Sequence, residues 1–208
     1  MKIDLSKTTL VTVVIATVYA VCRIVQKCCW WAGVHFWLNH PIRGHIAGHG
    51  IDMIFNLCIA IFLWTLWQNR NQLPTPADKW KHIRNLLVFA LGYLLIFQIQ
   101  MISHYPLWCL RIFFYTLWAL PVVYVAALWM FYGQVNNAET YTLSKSRAAL
   151  VLWTAILLLA SVAVGIILVI LWYTNTTEWL DRWHWRIPMI ISAIAKLFFI
   201  FFLNVKNK

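Results

Sequence analysis

Of 208 residues, 62% are hydrophobic and only 11% are charged, against roughly a quarter charged in ordinary soluble domains. A water-soluble globule cannot hide that much apolar surface, so the composition excludes one and makes lipid the solvent for most of the chain. The net charge of +11, from 17 Lys and Arg against 6 Asp and Glu, belongs to the same setting. The basic residues flank apolar runs, which assigns them to topology and to anionic membrane lipid; direct nucleic-acid binding is not expected, because no soluble basic module carries it.

A membrane span needs ~20 apolar residues. Taken in chain order, the runs that qualify are about 8–27, 50–68, 84–103, 106–132, 147–173 and 185–204. They predict an all-α, polytopic transmembrane bundle of about six spans (four to six), with residues 1–208 forming a single transmembrane domain. Lys2 and Lys7 precede the first run, which is long enough to span and is followed by Cys28, Cys29, Trp30 and Trp31 rather than a small-residue cleavage site. It reads as a retained first helix. Arg23 lies a turn from its outer end, where a long cationic side chain is expected to snorkel.

The segment 28–49 is an outer loop rich in Trp and His. It contains His35, His40, His45 and His49, with Gly44, Gly48 and Gly50 interleaved. His45 and His49 stand four apart and Asp52 three further on, so a helix would put all three on one face. Two imidazoles and a carboxylate in that register are a candidate metal set, and one imidazole could ligate haem. The simpler expectation is no cofactor, with the histidines facing water in a glycine-rich loop. A buried bis-histidine haem is disfavoured in any case, since none of the seven histidines falls in mid-membrane. The second run opens with Asp52 and Asn56 in its first turns and carries Cys58 further in. A cysteine nucleophile needs an adjacent base and access, and Cys58 has neither assured.

The loop 69–83 is polar and punctuated by Pro74 and Pro76, a plain connection. Gln98 and Gln100 are polar positions in the third run. Only Ser103-His104-Tyr105-Pro106 separates it from the fourth, which predicts a tight helical hairpin. Arg111 lies a turn into the fourth run, and Pro121 should kink it. A second polar loop occupies 133–146. In the fifth run, Ser161 and Gly165 form a fragment of a small-residue face. The outer loop 174–184 leads through Trp179 and Trp183 to the sixth run. There Lys196 is the strongest anomaly, about eight residues from Pro188 and from Asn204.

Short-loop Lys and Arg residues set orientation. With the N-terminus inside, the inner segments hold Lys2, Lys7, Arg70, Lys79, Lys81, Arg84, Lys145, Arg147, Lys206 and Lys208. The outer ones hold Lys27, Arg43, Arg182 and Arg186. Both termini are therefore expected in the cytoplasm, with 69–83 and 133–146 as cytoplasmic loops. The expected setting is a bacterial inner (plasma) membrane.

A cation at the bilayer centre costs about 2.5–3.5 kcal/mol on insertion scales, so Lys196 should face the bundle interior and find a partner. Asp52 is the nearest acidic candidate. Paired carboxylates, a nucleotide loop and an HExxH motif are all missing, which argues against hydrolase or transferase chemistry. The function expected is that of a non-enzymatic channel, transporter or sensor subunit. Its ligand or ion pathway would involve Lys196, Gln98, Gln100, Arg111 and Asp52. One alternative is a metal- or haem-dependent redox protein using His45, His49 and Asp52. Another is a membrane interaction, immunity or defence component engaging a protein partner at the basic cytoplasmic loops. Homo-oligomerisation is compatible with cations inside the spans.

Overall fold

The computed structural model describes residues 3–34, 50–103, 119–175 and 177–205. Seven helices lie among them: α1 (Leu5–Trp31), α2 (Ile51–Gln68), α3 (Trp80–Ser103), α4 (Ala119–Gln134), α5 (Lys145–Thr174), α6 (Glu178–Trp183) and α7 (Arg186–Asn204). Two short strands, β1 (Leu73–Pro74) and β2 (Thr140–Tyr141), pair antiparallel with Leu73 opposite Tyr141. The fold is all-α apart from this pair. Among the described residues, four helices are long and apolar enough to cross a membrane: α1 over Leu5–Gln26, α2, α5 and α7.

The helices form where the backbone can satisfy itself. Asp4 caps α1, its carboxylate accepting from the amides of Ser6 at 2.9 Å and Lys7 at 3.4 Å. Threonine hydroxyls enter the apolar interior because each finds a partner within its own helix. Thr9, Thr12, Thr17, Thr65 and Thr154 donate to the carbonyl four residues back at 2.6–2.9 Å. Pro188 falls in the first turn of α7, where its missing N–H costs nothing. The Thr177 hydroxyl caps the short α6, accepting from the Leu180 amide at 3.3 Å.

The long helices pack in the cyclic order α1–α2–α5–α7–α3–α4, and α4 closes the ring on α1. Three contacts bring both chain termini and two loops to one end of this ring. Gln68 Oε1 accepts from the Ile3 amide at 3.4 Å, the Leu143 amide donates to the Arg70 carbonyl at 2.7 Å, and the Arg147 guanidinium lies 4.7 Å from the Phe202 ring centroid. The loops read separately from the sequence thus fuse into one cap. The Thr75 amide and hydroxyl both donate to the Glu139 carbonyl at 3.0 Å, and Thr142 Oγ1 donates to the Asn71 carbonyl at 3.1 Å. We call this the loop end. The opposite, far end carries residues 32–34, Gly50, and the α5–α7 connection with α6.

Leu63, Leu91, Val13 and Val151 are fully buried within the ring. Large apolar side chains point outward from it, among them Val14, Val18 and Val21 on α1, Phe89 on α3, Ile170 on α5 and Phe201 on α7. Exposed apolar surface on this scale marks a surface made for lipid or a partner.

Candidate functional site

Apart from the self-bonded threonines, a group of polar side chains from α1, α2, α3, α5 and α7 meets toward the far end, inside the ring. α2 begins there with Asp52 in its first turn, facing α1 across the Tyr19–Phe55 stack, whose ring centroids are 4.1 Å apart at 6°. Arg23 Nη2 lies 2.5 Å from Asp52 Oδ1, and the Tyr19 hydroxyl donates to the same oxygen at 2.8 Å. Arg23 also donates through Nη1 to Gln26 Oε1 at 2.5 Å. The expectation that Arg23 simply snorkels is corrected: its side chain is only 17% exposed and it is paired with Asp52. The physical reason is that the neighbouring helix offers a carboxylate within reach of the guanidinium, and a charge-assisted hydrogen bond is about twice as strong as a neutral one.

On α7, Lys196 turns back along the helix toward the far end, as helical side chains do. Its Nζ donates to Ser192 Oγ at 2.6 Å and lies 3.4 Å from the Ser192 carbonyl. Asp52 is close enough for its charge to act on Lys196. Ser192 in turn lines a small cavity of about 90 Å³, in which Asp52, Asn56, Gln98, Ser161 and His184 are set among apolar neighbours such as Met53, Val169 and Met189; Lys196 reaches it only through Ser192. That volume accommodates water. Gln98 Oε1 is buried with no hydrogen-bond partner among the described residues. An unfilled acceptor in such a place calls for a water or a ligand donor.

Ser161 Oγ donates to the Pro188 carbonyl at 2.8 Å, tying α5 to α7 at the cavity wall. His184 closes the far end. It is buried, its Nδ1 sits 2.7 Å from the Leu180 carbonyl, and its ring stacks on Trp172 with centroids 4.8 Å apart.

The structure therefore brings together Lys196, Asp52 and Gln98 of the sequence-predicted site. Arg111, His45 and His49 lie outside the described residues, as do His35, His40, His104 and the Gln100 side chain. Of the proposed metal set only Asp52 is described, and its carboxylate is engaged by Arg23 and Tyr19. No cluster of three His, Cys, Asp or Glu side chains forms among the described residues. Tyr19, Asn56, Ser161 and Ser192 were not singled out as site residues from the sequence, because a lone hydroxyl or amide in an apolar run is ordinary. The register of Ser192 four residues before Lys196 was the one available signal.

Compared with known proteins, no family model, curated protein or solved structure matches this chain, so its function is read from its own residues alone.

Proposed function

We propose that the chain is a six-span integral membrane protein with both termini in the cytoplasm, serving as a channel, transporter or sensor subunit for a small anion. The loop end is then the cytoplasmic one, which agrees with its share of Lys and Arg. The observation that carries the functional reading is the charge balance around Asp52, which lines the small far-end cavity. Two cations, Arg23 and Lys196, both draw on the single carboxylate of Asp52. An ammonium offers three donors, and Ser192 accounts for those seen on Lys196. An intramembrane cation with spare donor capacity, bonded to a serine that lines a buried cavity, is an anion-handling arrangement.

The test is anion flux in proteoliposomes, read with the chloride-quenched dye lucigenin. Wild type should conduct. Lys196→Leu should lose at least tenfold in rate while eluting from size exclusion as wild type does. Unchanged flux in Lys196→Leu, or none in wild type, contradicts the reading.

A further inference from the structure

We infer that the loop end of the ring holds a binding site for an anionic amphiphile, its chain inside the ring and its headgroup on Arg84 and Arg147. The site is separate from the small far-end cavity lined by Asp52 and Ser192 and does not depend on that reading. A cavity of about 430 Å³ runs up the inside of the bundle from the loop end. That size is typical of pockets that take small organic ligands. Its deep wall is apolar, with Leu63, Leu87 and Ala127 all buried. It reaches the surface beside Pro76 and Val205, both exposed.

Arg84 from α3 and Arg147 from α5 are the charged residues in its lining, and no Asp or Glu among the described residues lines it. The two guanidinium groups are close enough to repel each other. In both, Nε is buried with no hydrogen-bond partner among the described residues. The neighbours they do have are uncharged. Arg84 Nη2 donates to Asn85 Oδ1 at 3.3 Å, and Arg147 packs over Phe202 and interacts with the Tyr141 hydroxyl. Burial pushes the Tyr141 phenol above its usual range, against the pull of Arg147, so it stays a neutral donor.

Two adjacent guanidinium groups with no carboxylate beside them among the described residues, at the mouth of an apolar chamber, are matched by one ligand chemistry: a carboxylate or phosphate headgroup on an apolar chain. The headgroup relieves the repulsion of the arginines, and the chain fills space that water would not favour. A phospholipid of the surrounding membrane and a free fatty acid both have this chemistry.

The test uses the purified full-length protein in the uncharged detergent dodecyl maltoside, with cis-parinarate, a fatty carboxylate that fluoresces in apolar sites, as the probe. Wild type should bind it saturably, and more tightly than the uncharged methyl ester. The double substitution R84Q/R147Q should weaken the acid about tenfold or more and leave the ester unchanged. Ala127→Phe, which fills the chamber, should weaken both while keeping the thermal midpoint, and Lys196→Leu should bind as wild type does. Competition identifies the source: displacement by phosphatidylglycerol points to a membrane lipid, displacement by oleate to a free acid. Equal affinity for acid and ester in wild type, unchanged binding in Ala127→Phe, or displacement by neither competitor would overturn the inference. Ala127→Phe decides the matter even if the double variant does not fold.

Discussion

Asp52 is the residue on which the far end turns. Its carboxylate holds Arg23 and Tyr19 directly and acts on Lys196 across the ring. Because its side chain is 45% exposed, removing its charge costs nearer to a surface pair than to a buried one, about 1 kcal/mol. Asp52→Asn should therefore lower the thermal midpoint in detergent by about 2–4 °C, measurable by intrinsic tryptophan fluorescence, and an unchanged midpoint would show that the pair contributes nothing. Lys196 and Asp52 stand out in the sequence because a charge in an apolar run is conspicuous. The pairing of Arg23 does not, since residues 23 and 52 lie on different helices and nothing in their spacing reports the approach of α1 to α2. Arg84 and Arg147 illustrate the opposite difficulty. In the sequence they count only as inner-side basic residues, and that topological signal conceals a second use of the same charges inside the cavity.

At the scale of elements, α5 approaches α2 and α7 closely at Gly165. A Cβ added to Gly165 would stand 2.5 Å from Met53 Cε and 3.4 Å from Pro188 Cγ. With no hydrophobic force to drive helices together in lipid, such small-residue contacts and the Ser161–Pro188 hydrogen bond do the joining. Gly165→Ala should be nearly neutral, because the Met53 methyl is the far end of a flexible chain. Gly165→Leu should destabilise by about 1–3 kcal/mol through overpacking, read as a lower thermal midpoint. Equal midpoints for the two variants would mean that the helices do not approach this closely. Ser161 and Gly165 are visible in the sequence as half of a small-residue face, but the partners they meet are not. The β1–β2 pair and α6 are too short to leave any periodicity; the strands meet only because folding brings two loops together, whereas α6 rests on its local Thr177 cap.

For the whole molecule, composition made the class of fold legible: the apolar runs fall on helices, with α4 described only from Ala119, and four of the described helices are long and apolar enough to cross a membrane. The cyclic order α1–α2–α5–α7–α3–α4 was not legible. Every long helix is apolar on several sides, so its pattern does not say which neighbour it meets. Both candidate sites depend on this closure, because each is lined by helices far apart in sequence.

The most direct measurement is the sidedness of single cysteines in intact cells, after replacing Cys22, Cys28, Cys29, Cys58 and Cys109 by Ser. Six spans with cytoplasmic termini require that Ala32→Cys, Ser103→Cys and Asn175→Cys react with a membrane-impermeant maleimide from outside. Pro76→Cys and Asn137→Cys should react only after lysis. Labelling of Ser103→Cys on the same side as Pro76→Cys would show that α3 does not cross the membrane, and the ring of six spanning helices would be contradicted.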